Sequence, residues 1–136
     1  MFNTYDTKLL ESPLHKAFRL LDSYINLSGH NTYSLNNNDK SLKIINIPSS
    51  RFFRPYNKSL RVFENQRLSR IKKGMSHAAK KNEIYHLWWH PHNFGKNIEE
   101  NFNNLEKLFK HYSLLNKQYN FGNDTMSNLT KVFKTD

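Results

Sequence analysis

The chain contains no cysteine, which excludes disulfide frameworks, thiolate-bound metals and cysteine nucleophiles. Its longest apolar runs are only a few residues long, whereas a membrane-spanning helix needs about 20 apolar residues. The first residues, Met1–Lys8, lack the apolar stretch of a secretory signal peptide. We therefore expect a cytoplasmic protein, unless the natural amino terminus lies elsewhere.

Acidic residues are scarce as well, with 11 Asp and Glu against 21 Lys and Arg. The net charge of +10 makes nucleic acid or another polyanion a candidate partner. Lys and Asn are frequent along the whole chain, however, and a low-GC coding bias explains the charge without any partner. The 136 residues fit one domain or part of one, and 14% aromatic residues can build a core.

Apolar residues at helical spacing predict three main helices. The first spans Ser12–Gly29, and the second spans Ser59 to about Lys81, with Gly74 as a candidate break. The third is capped by Asn97, and a last short helix starts near Ser127. The apolar stripe of the third helix is predicted to consist of Ile98, Phe102, Leu105, Phe109 and Tyr112.

Two segments are predicted to be strands, and the stretch between them at 49–56 is predicted to be an aromatic, basic loop. Leu42–Ile47 alternates between apolar and polar residues, and Ile84–Trp89 is bulky and aromatic, as a buried strand is. Helix, buried strand, loop and helix then follow one another between Ser59 and Leu115. This order indicates a helix-rich α/β fold with a parallel sheet, of which two strands form only part.

The densest polar cluster consists of three histidines around two tryptophans, at the end of the second predicted strand. On an extended strand, His86, Trp88 and His90 point to one side and Leu87 and Trp89 to the other. His90 follows the carboxyl end of the strand, where active sites of α/β folds lie. Three histidines could bind zinc with an open position for water. Packing of one ring against the tryptophans, with the others solvated, is the favoured interpretation from the residues alone.

Residues 87–95, Leu-Trp-Trp-His-Pro-His-Asn-Phe-Gly, resemble the last signature of the polysaccharide deacetylase (NodB-homology) family, Leu-x-x-His followed by proline. Residues 20–24, 47–55 and 70–75 are similar to the carboxyl-terminal third of a bacterial branch of these enzymes. The resemblance extends over roughly Ser12 to Met126. It implies the carboxyl-terminal part of an incomplete (β/α) barrel.

The resemblance also implies an activity, the removal of acetyl groups from N-acetylated saccharides with a divalent metal, usually zinc. His90 would be the general acid that protonates the departing sugar amine. Four more residues would face the substrate: Leu87 beside the acetyl methyl group, Trp88 against a sugar ring, and His92 and Arg54.

The motifs that hold the family's metal are absent, because the chain has no Asp-Asp pair and no His-Ser/Thr-x-x-His motif. Residues 1–136 are therefore expected to form a single partial domain. It would bind no metal itself, would be inactive alone and would need the missing amino-terminal, zinc-binding portion.

Two other classes of function compete with this interpretation. The first is a basic nucleic-acid-binding module, although no helix-turn-helix, RNP or zinc-finger signature accompanies the charge. The second is a small interaction protein with an exposed apolar patch. Nucleic-acid binding would depend on the cations of the second predicted helix: Arg61, Arg67, Arg70, Lys72, Lys73, Lys80 and Lys81.

Overall fold

The structure, a computed structural model, describes residues 13–34 and 46–135. Two 3₁₀ helices precede the second and third α-helices, at Lys58–Phe63 and Pro91–Phe94. Helices predominate and the two strands are short, which fits the predicted mixed α/β class. Most of the predicted strand at Leu42–Ile47 lies outside the described residues, as does Ser12. The elements in chain order are α1 (Pro13–Asp22), β1 (Arg51–Phe52), α2 (Glu64–Lys81), β2 (Leu87–Trp88), α3 (Ile98–Tyr119) and α4 (Met126–Thr135).

The two strands are parallel neighbours, with Arg51 opposite Leu87 and Phe52 opposite Trp88. Backbone hydrogen bonds continue on both sides of the pair: the Ser50 amide donates to the His86 carbonyl, and the Phe53 amide donates to the Trp88 carbonyl. A parallel pair needs a crossover connection, which α2 provides here. The segment from β1 through α2 to β2 is therefore a βαβ unit, and the predicted loop at 49–56 contains its first strand.

Side chains of β2 alternate between two environments, as the sequence predicts. Leu87 and Trp89 pack against the hydrophobic core, whereas Trp88 faces the other side of the sheet and contacts Phe52, with ring centroids 4.6 Å apart. The strand is half-buried rather than fully buried, because helices cover one face of the described sheet. The core on that face consists of Phe53, Leu68, Ile71, Met75, Ala79, Phe94, Leu105, Leu108 and Leu115.

Helix α3 presents a different face to the core from the predicted one. Leu105 is buried as expected, but Phe102 and Phe109 are 56% and 54% exposed. Asn101 and Asn104 point inward instead, because both have hydrogen-bond partners in the interior. Hydrogen bonding by two polar side chains thus rotates the buried face away from the centre of the apolar stripe.

Helix α2 continues through Gly74 without the break that the sequence made a candidate. The ring of Tyr85 packs on this residue, and a Cβ atom there would lie 2.6 Å from Tyr85 Cε2. Glycine is therefore required by the close approach of an aromatic ring rather than by a bend in the helix.

Asp22 ends α1 seven residues before the predicted end at Gly29. Its carboxylate accepts hydrogen bonds from the amides of Leu27 and Ser28, at 3.0 and 2.9 Å, which turns the chain. It also forms an ion pair with Arg51 of β1 at 2.9 Å, and Arg70 of α2 lies 3.7 Å away. One buried carboxylate thereby connects α1 to the sheet and to α2.

The stability of the fold should depend on the ionisation of Asp22. Burial by itself would raise the pKa of this carboxyl, but hydrogen bonds from the Ser28 amide and Arg51 lower it from 3.8 to about 2. Because the folded-state pKa is below the unfolded one, the stabilisation is present above pH 4 or so and is lost as the pH falls toward about 2. Asp22→Asn should cost about 3–5 kcal/mol at pH 7, because it leaves two arginines without their anion.

Urea unfolding of both proteins between pH 2 and 7 measures this dependence. The difference in free energy of unfolding between wild type and Asp22→Asn should shrink as the pH falls through that range. Asp124→Asn, in an exposed loop, is the matched control and should change the free energy by less than about 0.5 kcal/mol. A difference that stays constant with pH would show that the ionised carboxylate does not stabilise the fold.

Candidate functional site

The candidate site lies at the carboxyl ends of the two strands. Because β1 and β2 are parallel, the segments that follow them, 53–57 and 89–94, emerge at the same edge of the sheet. A pocket of about 950 Å³ opens there, bordered also by the end of α1 and the residues before α3. Its polar lining includes Arg54, Tyr56, Asn57, Lys58, His92, Asn93, Lys96 and Asn97.

His90 lies two residues beyond the end of β2, beside this pocket rather than in its lining. The edge of its ring packs against Trp88 at 5.0 Å between centroids, and its face stacks on His92 at 5.1 Å. Phe52, which lines the pocket, is 5.9 Å away. The His90 ring is exposed and forms no hydrogen bond to any residue that the structure describes, so its nitrogens are available to a bound molecule.

Arg54 contributes a partly buried guanidinium to the same pocket. Within the described part of the chain this guanidinium has no hydrogen-bond or ion-pair partner. Burial lowers the pKa of Arg54, and the cations Arg19 and Arg67 lower it further, although Tyr24 opposes them. An arginine keeps its charge at neutral pH even so. The pocket therefore contains an uncompensated positive charge.

The structure brings together four of the five residues assigned to the site from the sequence. Arg54 and His92 line the pocket, and His90 and Trp88 contact its wall through Phe52. Leu87 lies apart from them, because adjacent strand residues point to opposite sides. It packs against the core and borders a second, more apolar groove between α2 and α3.

A buried asparagine that the sequence analysis missed positions two walls of the pocket. Asn101 is fully buried; its Oδ1 accepts from the Tyr56 amide at 2.6 Å, and its Nδ2 donates to the Lys96 carbonyl at 2.8 Å. Asn97 occupies the cap position of α3 in a left-handed conformation, but its side chain forms no capping hydrogen bond. The sequence signal for the burial of Asn101 was its helical spacing from Leu105 and Leu108.

A buried ion pair between two residues of α2 fixes the loop that contains Arg54. Arg67 donates a hydrogen bond to the Arg54 carbonyl and pairs with Glu64, which also accepts from Asn104. The Arg67 guanidinium lies over the ring of Phe53, 4.9 Å from its centroid. This arginine is thus a structural residue of α2 rather than a surface cation.

Burial of arginines weakens the case for a nucleic-acid-binding helix. Arg67 and Arg70 are each 3% exposed and bind internal acceptors. The outer face of α2 keeps Lys73, Lys80 and Lys81 as exposed cations. Two of the seven cations that suggested the nucleic-acid alternative are therefore unavailable to a phosphate backbone.

The described residues do not provide a metal site. No group of three or more His, Asp or Glu side chains in 13–34 and 46–135 is arranged to hold a metal ion. His90 and His92 are stacked face to face, and His86 contacts the Pro48 carbonyl through Nδ1 at 3.3 Å. This donor set does not fit a resident zinc ion, and it gives no support to the three-histidine site that the sequence left open.

Comparisons with family models, with curated proteins and with solved structures found no match to this chain. Among the described helices, none is both long enough and apolar enough to cross a membrane. Any assignment of function therefore depends on the resemblance in the sequence and on the geometry of the pocket.

Removal of the Asn101 side chain should destabilise the protein through the pocket walls. Asn101→Ala leaves the Tyr56 amide and the Lys96 carbonyl without partners in the interior, which should cost about 2 kcal/mol or more. Urea unfolding measures this loss. Asn103→Ala, on the exposed side of the same helix, is the control and should cost less than about 0.5 kcal/mol. Equal losses in the two variants would contradict a positioning role for Asn101.

Proposed function

We propose that this chain is the acid-bearing, sugar-binding portion of a polysaccharide deacetylase-like enzyme. The metal-binding portion of that enzyme is not among the described residues. The observation that carries the proposal is the position of His90, two residues beyond a parallel strand and stacked on His92, which lines a pocket together with Arg54. Three residues of the segment that resembles the family signature, His92, Asn93 and Gly95, line this pocket.

The incomplete sheet supports the second part of the proposal. Parallel sheets are normally covered on both faces. Here α2 and α3 cover one face, whereas Phe52 and Trp88 on the other are covered only in part by described residues. An incomplete (β/α) barrel would have its interior on the side of these two rings, which is also the side of His90.

The chemistry of deacetylation suits an exposed imidazole at this position. Cleavage of the amide releases the sugar amine, which is a poor leaving group unless its nitrogen is protonated as the C–N bond breaks. Protonated His90 would donate that proton and become neutral. Trp88 would pack against a sugar ring, as aromatic faces do with apolar ring surfaces. In the complete enzyme, a divalent metal such as zinc would supply the activated water, and residues 13–34 and 46–135 contain no group of three ligands for it.

Saccharide binding by the purified chain tests the sugar-binding part of the proposal. N-acetylchitotetraose should change the tryptophan fluorescence, and Trp88→Ala should weaken binding about fivefold, since an aromatic contact contributes on the order of 1 kcal/mol. Phe109→Ala removes an exposed aromatic ring of α3 outside this pocket and should leave the affinity unchanged. No binding at millimolar saccharide would contradict the proposal.

Acetate release tests the assigned acid and the missing metal portion together. The chain alone, with or without added Zn²⁺, should release no acetate from N-acetylchitotetraose. In a complex with the amino-terminal portion of a family enzyme that carries the Asp-Asp and His-x-x-x-His motifs, acetate release should appear. In that complex His90→Gln should lower kcat by about 10²–10⁴-fold. Activity of the isolated chain, or full activity of His90→Gln, would overturn the assignment.

A further inference from the structure

The charges that line the pocket have one sign. Arg54, Lys58 and Lys96 contribute cations and His92 an imidazole ring, whereas none of the described Asp and Glu residues lines the pocket. Neither lysine forms an ion pair with a residue in the described ranges. A cleft lined by one sign of charge concentrates ions of the opposite sign.

Carboxylates of the neighbouring elements do not neutralise this charge, and Asp22 is paired with Arg51. Glu64 does not line the pocket and is bound to Arg67 and Asn104. Glu99 and Glu100 lie in the first turn of α3 and do not border the pocket. An unpaired cation that is partly buried, as Arg54 is, loses hydration without gaining a partner. An oxyanion from a ligand would provide that partner, and the guanidinium fork fits a carboxylate or a phosphate.

We propose that the pocket binds an oxyanion carried by the saccharide, so that the substrate class is acidic N-acetylated saccharides rather than neutral ones. This inference rests on the proposed function, because it assigns the charged group to the same ligand whose acetyl group His90 would serve. Leu20, Phe52 and Leu60 contribute apolar lining, and Trp88 packs against the Phe52 ring. Arg54, Lys58 and Lys96 contribute the charges of the same pocket. A volume of about 950 Å³ is within the usual range for a small-molecule site.

The arrangement favours a saccharide over a nucleic acid. Its cations converge on one concavity, whereas a nucleic-acid site needs a row of cations along an exposed face. On α2, where the sequence suggested such a row, Arg67 and Arg70 are committed to internal contacts. A bound oligonucleotide is therefore an outcome that the experiment must be able to detect.

Matched saccharides test the inference on the full chain by isothermal titration at 50 and 300 mM NaCl. The carboxylate pair is hyaluronan tetrasaccharide against N-acetylchitotetraose, and the phosphate pair is N-acetylglucosamine 6-phosphate against N-acetylglucosamine. At low salt the acidic member of at least one pair should bind about tenfold more tightly, and the preference should shrink at high salt. A preference in only one pair identifies the oxyanion as a carboxylate or as a phosphate.

Variants connect the preference to the pocket. Arg54→Gln should reduce the affinity for the acidic ligand about tenfold and remove most of the preference for it over the neutral ligand. Lys96→Gln, at an exposed position, should reduce the affinity for the acidic ligand by a smaller factor. Lys107→Gln removes the same charge from an exposed position of α3 outside the pocket and should leave the preference unchanged. An equal effect of Lys107→Gln would show that net charge alone is responsible and would overturn the inference.

The remaining outcomes separate this inference from the proposed function. Equal binding of acidic and neutral saccharides overturns the oxyanion site and leaves the sugar-binding function intact. Absence of binding to every saccharide overturns both. Tighter binding of a 12-nucleotide single-stranded DNA than of any saccharide also overturns both, in favour of a nucleic-acid-binding module.

Discussion

Buried hydrogen bonds from side chains to backbone groups and charged partners hold the loops of this chain in place, since its paired strands are too short to do so. Each strand has only two residues. Asp22 binds the turn after α1 and the β1 residue Arg51, while Asn101 binds the segments on both sides of the pocket. The cost of leaving such groups unpaired in the interior makes these contacts specific for one arrangement.

This use of polar residues divides the arginines into two functional kinds. Arg51, Arg67 and Arg70 are buried and bind carboxylates or carbonyls, so they stabilise the fold and present little charge to solvent. Arg54 has no such partner in the described part of the chain, and its position in the pocket leaves it for a ligand. The position of the Arg54 guanidinium is therefore a better guide to a binding partner than the net charge of +10.

The sequence predicted the parts of the structure that periodicity controls. Helix α2, the two-sided pattern of β2 and the place of His90 after it agree with the expectations, because long helical repeats and strand alternation are local properties. The first strand was predicted as a loop, since two residues carry no period. The buried face of α3 and the end of α1 depend on hydrogen bonds of Asn101 and Asp22, and single polar side chains of this kind leave no periodic pattern in the sequence.

The contacts that position the candidate site all lie among the described residues of this one chain, which bears on the proposed division of the enzyme into two portions. His90 is held by neighbouring rings, the Arg54 loop by Arg67, and the far wall by Asn101. If a metal-binding portion is supplied by another polypeptide, its separation would abolish catalysis but would leave the ligand-binding surface formed. On the proposed function, binding and catalysis would then be separable properties of this site, and the charge of the pocket would contribute to binding.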